Sequence, residues 1–86
     1  MYTVRVRPSA EKEIRALPQD VRVRVVRTIL ALENEPRPAG CVKLESRDAW
    51  RVRVGAYRVV YTIEDRVLIV EVVRVAHRRE AYRRGG

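Results

Sequence analysis

Several residue types that mark particular protein classes are scarce in this 86-residue sequence, which has one cysteine, one histidine and no phenylalanine. The single cysteine, Cys41, excludes a disulfide-stapled scaffold and a zinc site built from several cysteines. The longest apolar runs, such as Val67 to Val70, fall far short of the roughly 18 residues that a membrane span needs. The first residues have no apolar segment typical of a secretory signal. We therefore expect a cytoplasmic protein with no membrane segment, metal or other cofactor.

The length limits the architecture. Residues 1–86 are expected to fold as a single domain. A chain of this size buries roughly 60–65% of its unfolded surface, which leaves a thin core. A doubly wound nucleotide-binding fold or a barrel with a deep pocket does not fit this length. Any active site is therefore expected to be a shallow groove on a small sheet.

The charge balance is strongly basic, and arginine supplies nearly all of the positive charge. Nineteen Lys and Arg against eleven Asp and Glu give a formal net charge of +8, and only Lys12 and Lys43 are lysines. Codon bias or adaptation to heat would explain this preference for arginine. A polyanionic partner would also explain it, because the planar guanidinium pairs with phosphate through two hydrogen bonds.

Apolar spacing predicts a strand followed by two helices. Tyr2–Arg7 alternates apolar and polar residues, which is typical of a half-buried strand, and Pro8 ends it. Apolar residues at helical spacing between Ala10 and Leu17 predict a short helix. The segment Val21–Glu35 begins with strand-like alternation, but its length favours a helix that stops before a proline. The two helices are predicted to form a helical hairpin.

The second half of the chain predicts an antiparallel meander. Trp50–Val54 alternates, Gly55-Ala56 allows a tight turn, and Tyr57–Ile63 and Val67–Val75 are rich in β-branched and aromatic residues. Cys41–Leu44 fits a further short strand. The predicted fold class is α+β: an N-terminal strand, a helical hairpin, a meander with about four strands in the sheet, and a short C-terminal helical turn.

Three arginines of this sheet are candidates for binding an anion. Arg51 and Arg53 alternate with the apolar residues of one strand, and Arg58 lies on the next strand across the turn. Directly opposite Cβ atoms lie about 4.5–5.5 Å apart, so these side chains come within reach of one another. Like charges repel unless solvent screens them or an anion lies between them. A solvated sheet face and a phosphodiester site both fit the pattern.

The residues after the last strand offer groups for acid–base chemistry and for stacking. His77 is the only histidine, the residue type that most often transfers protons near neutral pH, but a histidine at a strand end is also a common structural residue. Arg78 and Arg79 add positive charge. Tyr82 could stack on an RNA base or take part in proton transfer. The segment also fits a disordered basic tail.

Two strings carry most of a resemblance that extends over nearly the whole chain. They are Trp50–Tyr61, WRVRVGAYRVVY, and Val75–Tyr82, VAHRREAY. Shorter matches are Leu17-Pro18 before the long helix, Pro36–Pro38 after it, and Lys43-Leu44. A basic strand followed by Gly-x-Tyr-Arg-x-x-Tyr and a His-Arg-x-x-x-Tyr ending resembles the RelE/ParE toxin superfamily of bacterial and archaeal toxin–antitoxin systems.

The resemblance implies a RelE-like fold and a ribosome-dependent mRNA interferase. Proteins of the RelE branch enter the ribosomal A site and cut the codon there without a metal, when the ribose 2′-hydroxyl attacks the adjacent phosphate. Carried over by position, Arg58 contacts the scissile phosphate and Arg78 stabilises developing charge. Tyr82 stacks on the base or helps to take up the 2′ proton.

The resemblance leaves the proton donor open. Arg51 and Arg53 stand where the best-known members carry lysines, and arginine gives up a proton only reluctantly. Arg53 as general acid and His77 in its place are therefore alternative hypotheses. The positions expected to bind RNA without taking part in catalysis are Arg47, Arg51, Arg79 and Arg83.

Partners also follow from the resemblance. It implies a cognate antitoxin, together with A-site mRNA and the 16S rRNA of the small subunit. Our hypothesis is that the antitoxin covers the helical hairpin and the sheet groove, and either displaces the C-terminal tail or neutralises Arg51, Arg53 and Arg58 with carboxylates. The alternative within the superfamily is a ParE-like protein that inhibits DNA gyrase by binding, but such chains usually lack the ending formed here by Arg78 and Tyr82. A plain basic RNA-binding domain is a third hypothesis.

Overall fold

The elements of the fold are described by a computed structural model for residues 1–45 and 47–79. The strands form one sheet in the order β1-β5-β4-β3-β2, with β1 parallel to β5 and the other neighbours antiparallel. In chain order the elements are β1 (Thr3–Val6), α1 (Pro8–Arg15), α2 (Gln19–Ala31), β2 (Val42–Lys43), β3 (Trp50–Val54), β4 (Tyr57–Glu64) and β5 (Ile69–His77). The predicted α+β class is confirmed. The sheet has five strands rather than about four, because the N-terminal strand and a short β2 both join the meander.

Prolines set the starts of both helices. Pro8 is the first residue of α1, where its missing N–H and fixed φ suit a helix. Pro18 has φ −54° and ψ 147° and directly precedes α2. α2 ends at Ala31, four residues before the predicted end at Glu35, because the next three N–H groups bond to carbonyls three residues back and tighten the chain. No helix within residues 1–45 and 47–79 is long and apolar enough to cross a membrane.

One face of the sheet packs against the two helices, and this contact forms the core. Trp50 packs at the edge of the core, and Tyr61 is fully buried within it. Since side chains alternate along a strand, the residues between the core positions of β3 and β4 project from the opposite face. The buried core residues are Ala10, Ile14, Val25, Ile29, Leu32, Val52, Val54, Val59, Tyr61, Val70, Val72 and Val75.

The turn before β5 lies later in the chain than the sequence predicts. The predicted strand began at Val67, but β5 spans Ile69–His77, and Val67 and Leu68 belong to the turn that follows β4. Leu68 has φ +56°, a left-handed conformation that is costly for any residue with a side chain. Because Val67 and Leu68 are apolar, the sequence pattern assigned them to the strand and not to the turn.

A register shift divides the pairing of β4 with β5. Val60 pairs with Arg74, whereas the next residue, Tyr61, pairs with Val72, so Val73 has no counterpart on β4. An extra residue of this kind bends a strand and increases its twist. The last residues of β5 therefore follow a different course from the part that pairs with β1.

Polar contacts join the N-terminal residues, the loop after α2 and the turn after β4, at the end of the sheet where β4 finishes. The Tyr2 hydroxyl donates to Oδ1 of Asp65 at 2.7 Å, and Nη2 of Arg37 donates to Oδ2 of Asp65 at 2.9 Å. The Arg37 guanidinium also lies 5.0 Å from the ring centroid of Trp50, in a cation–π contact. The hydrogen bond from Arg37 holds the pKa of Asp65 below its ordinary value, and the hydrogen bond to Asp65 raises the pKa of Tyr2.

Candidate nucleic-acid interface

The β3–β4 hairpin fixes the relative position of two arginines. Arg53 on β3 is the direct cross-strand partner of Arg58 on β4. The hairpin turns through Gly55 and Ala56, and Gly55 has φ +58°, which glycine adopts without steric cost. Because this short turn determines the register, Arg53 and Arg58 project side by side from the face opposite the helices, with Cβ atoms expected about 4.5–5.5 Å apart.

We call Arg51, Arg53 and Arg58 the arginine face. Arg51 lies two residues before Arg53 on the same side of β3 and pairs with Val60. The three side chains differ in exposure: Arg53 is exposed, Arg51 is half-buried, and Arg58 is only 8% exposed. The sequence did not predict the burial of Arg58.

Arg58 is largely shielded from water, whereas Arg53 beside it is exposed. Charges interact more strongly where water is excluded, because the effective dielectric constant falls. An anion that reached both guanidinium groups would for that reason be attracted more strongly than on an open sheet face. The planar donors of both groups suit the oxygens of a phosphodiester.

The C-terminal end of β5 places Arg78 at the end of the sheet where the β3–β4 hairpin turns. The Arg78 N–H donates to the carbonyl of Ala56 at 2.8 Å, so its backbone lies beside the hairpin turn. Ala76, two residues earlier, is the partner of Arg58. Arg78 and Arg79 are both exposed and have helical backbone. The structure thus groups Arg53, Arg58 and Arg78 at one end of the sheet.

His77 lies on the other side of the sheet. It pairs with Tyr57, and the two rings meet edge to face with centroids 5.3 Å apart at 82°. Its Nδ1 accepts a hydrogen bond from the Arg79 N–H at 3.2 Å. Together with Leu17 of the helical hairpin, these rings line a surface pocket of about 240 Å³. This placement does not support the hypothesis that His77 donates a proton beside Arg53.

The remaining candidates lie elsewhere or outside the described residues. Arg47 is exposed in the loop before Trp50, at the opposite end of β3 from Arg53. Tyr82 and Arg83 lie outside the described residues. Across residues 1–45 and 47–79, no three His, Cys, Asp or Glu side chains cluster in a way that could hold a metal ion.

Sequence reasoning missed Glu13, a half-buried residue of α1 that reaches the end of β5. Its Oε1 accepts a hydrogen bond from the backbone N–H of Val75 at 2.7 Å, and its Oε2 lies 3.7 Å from Nε of Arg74. The sequence held no signal for this contact, because a single glutamate in a charged helix is typical of a solvated surface.

Solved structures with the same fold define the class of protein. A chain of the RelE–RelB complex from Pyrococcus horikoshii is 28% identical with a TM-score of 0.81, covering 90% of this chain and 94% of that one. A chain of the RelBE2 toxin–antitoxin complex from Mycobacterium tuberculosis is 32% identical with a TM-score of 0.79, covering 90% and 98%. The fold is that of the RelE toxins.

Sequence comparison shows the family. Residues 4–82 match the family model described as the ParE toxin of the type II toxin–antitoxin system parDE. The chain is also 34% identical over 85 residues to Toxin RelG of Mycobacterium tuberculosis, covering 96% of this chain and 98% of that toxin. The chain belongs to the RelE/ParE superfamily and is a RelE-family toxin of a type II toxin–antitoxin system.

Proposed function

We propose that this toxin is a ribosome-dependent endoribonuclease that cuts mRNA at the A-site codon without a metal. The observation that carries the proposal is the direct pairing of Arg53 with Arg58 on the face opposite the helices. Two arginines at directly opposite positions bring their positive charges to the same part of this face, where one backbone phosphate would lie within reach of both. Electrostatic stabilisation of developing negative charge is often the largest single contribution to catalysis.

The proposed reaction is an internal transesterification. The ribose 2′-oxygen forms a bond to the adjacent phosphorus, the bond from phosphorus to the 5′-oxygen breaks, the 2′-hydroxyl loses its proton and the leaving oxygen gains one. Arg53 and Arg58 bind the phosphate oxygens while charge accumulates, and Arg78 adds a third positive group. By resemblance, Tyr82 stacks on the base or assists removal of the 2′ proton.

Arg51 is proposed to extend the positive face along β3. Arg47, Arg79 and Arg83 are assigned to RNA outside the reacting phosphate. Arginines that contact backbone phosphates contribute to binding in a way that does not depend on nucleotide sequence. Their removal is expected to weaken binding and to leave the rate constant of cleavage on saturated ribosomes unchanged.

A protein antitoxin is the expected partner of the free toxin. The structural relatives from Pyrococcus horikoshii and Mycobacterium tuberculosis were solved as complexes with their antitoxins. By analogy, we propose a cognate antitoxin that covers the helical hairpin and neutralises the arginine face with carboxylates. A-site mRNA and 16S rRNA in the cytoplasm are the proposed targets of the released toxin.

Inhibition of DNA gyrase by binding is the second candidate function. It is favoured by the match of residues 4–82 to a family model named for ParE. The match to RelG and the Arg78–Tyr82 ending favour the nuclease instead. Binding to gyrase would need no phosphate site, so it gives no reason for the pairing of Arg53 with Arg58.

Two assays on the same preparation separate these functions. Primer extension on mRNA translated by purified ribosomes is expected to show toxin-dependent cuts within the A-site codon, and DNA supercoiling by gyrase is expected to be unaffected. Inhibited supercoiling with intact mRNA would overturn the proposal. Tyr82→Ala is expected to abolish growth arrest but retain antitoxin binding.

His77→Gln tests the proton donor in the same cleavage assay. Because His77 faces Tyr57 on the helix side of the sheet, we expect the variant to cut at the wild-type rate. A loss of cleavage at unchanged ribosome binding would return His77 to the role of general acid.

A further inference from the structure

We infer that Glu13 is a positioning residue, which holds the last residues of β5 so that the arginine face and Arg78 keep their relative placement. The inference rests on the proposed function, since it concerns the geometry of the same site. Glu13 itself lies on α1, on the helix side of the sheet, and has no expected contact with RNA.

The need for such a residue follows from the path of β1. β1 accompanies β5 only as far as Val72, whose carbonyl accepts the N–H of Arg7 at 2.9 Å. Pro8 then begins α1, and a proline has no N–H with which to continue the ladder. Beyond Val72, therefore, β1 no longer pairs with β5. The extra residue of β5, Val73, follows directly.

Glu13 replaces the missing strand partner. Its Oε1 accepts the Val75 N–H at 2.7 Å, a short hydrogen bond to a carboxylate. Its Oε2 lies 3.7 Å from Nε of Arg74, an atom that is buried. One carboxylate thus satisfies a backbone donor and balances a largely covered charge, and α1 is joined to β5 at this point.

The residues that follow this contact form the proposed site. Ala76 pairs with Arg58, and the Arg78 N–H bonds to the carbonyl of Ala56 in the hairpin turn. A displacement of β5 at Val75 would move the strand against which Arg58 packs, and with it the backbone of Arg78. Misplacement of a reacting group by about 1 Å can cost on the order of a hundredfold in rate.

The test compares three variants of α1. Glu13→Ala removes both contacts, whereas Glu13→Gln keeps an oxygen that can accept the Val75 N–H. Glu11→Ala is the matched control, because Glu11 is an exposed carboxylate of the same helix and pairs with Arg15 on the surface, at 3.1 Å. Melting curves show whether each variant is folded.

Single-turnover cleavage, with the toxin in saturating excess over programmed ribosomes, is the functional readout. A variant that is merely less stable supplies fewer active molecules, but as long as these still saturate the ribosomes its rate constant stays the same. We expect Glu13→Ala to lower the rate constant about ten- to a hundredfold. Glu13→Gln is expected to stay within about threefold of the wild type, and Glu11→Ala to match it.

Hydrogen exchange of the Val75 amide is the second readout, and it does not depend on activity. Exchange is expected to accelerate in Glu13→Ala and to remain slow in Glu13→Gln. The inference would be overturned if the Val75 amide exchanged at the wild-type rate in Glu13→Ala, or if that variant kept the wild-type rate constant of cleavage. It would also be overturned if Glu13→Gln lost as much of the cleavage rate constant as Glu13→Ala. A wild-type protein that cuts no mRNA would refute the proposed function instead, and the exchange data would then decide the role of Glu13 in holding β5.

Discussion

Replacement of Arg53 by alanine is the most informative perturbation of the arginine face. Arg53 is exposed, so its truncation leaves no cavity, whereas Arg58 is only 8% exposed and its removal also disturbs packing. The register places Arg53 directly beside Arg58, within reach of the same phosphate. A loss of cleavage in Arg53→Ala therefore reports on the chemistry and not on folding.

The expected magnitude follows from the position of Arg53. Removal of one donor that stabilises charge in a transition state costs about 2.7–4 kcal/mol, or about 10²–10³ in rate. Solvent screens an exposed guanidinium, so we expect the lower end of that range, about a hundredfold. Arg53→Lys keeps the charge and adds a group that gives up a proton more readily, so it is expected to retain at least about a tenth of the wild-type rate.

The assay is the rate constant of codon cleavage on programmed ribosomes at saturating toxin. Arg66→Ala is the matched control, because Arg66 is an exposed arginine in the turn after β4, at the opposite end of that strand from Arg58. It is expected to cut at the wild-type rate. If Arg53→Ala cut within about twofold of the wild type, the phosphate site would lie elsewhere.

Three further predictions concern stability. Tyr61→Phe should leave the Pro36 carbonyl without the donor that now lies 2.9 Å away in a buried site, at a cost of about 1–3 kcal/mol, visible as a lower Tm. The hydrogen bond from Arg37 lowers the pKa of Asp65, so the ionised carboxylate stabilises the fold at neutral pH. This contribution to the free energy of unfolding should be lost as the pH falls below 3.8, the ordinary pKa of the group. Urea unfolding of Asp65→Asn should not show this acid-dependent loss of stability. Leu68→Gly should relieve the left-handed backbone and raise the free energy of unfolding by about 0.5 kcal/mol, and a lower Tm would contradict this.

The hairpin could be predicted from the sequence because its determinants are local. Alternation in Trp50–Val54, a glycine at the turn and a β-branched second strand together fix which residues face each other. The pairing of Arg53 with Arg58 follows from these features without knowledge of the rest of the chain. The resemblance to the toxin superfamily pointed to the same pair.

Features that depend on distant parts of the chain were not predictable in this way. The parallel pairing of β1 with β5 joins Thr3 to Ile69, and no local pattern encodes it. The burial of Arg58 and the contact of Glu13 with Val75 likewise depend on how separate elements pack. The side of His77 was open to prediction, because it alternates with the core residue Val75 along β5.

A double-mutant cycle on Arg53 and Arg58 tests most directly whether both arginines act on one phosphate. Cleavage rate constants on programmed ribosomes are measured for Arg53→Ala, Arg58→Gln, the double variant and the wild type, with melting curves to confirm that each is folded. Residues that act as a unit are non-additive, so the account predicts that the double variant loses much less than the product of the two single losses. Losses that simply multiply would contradict it, because the two guanidinium groups would then act independently.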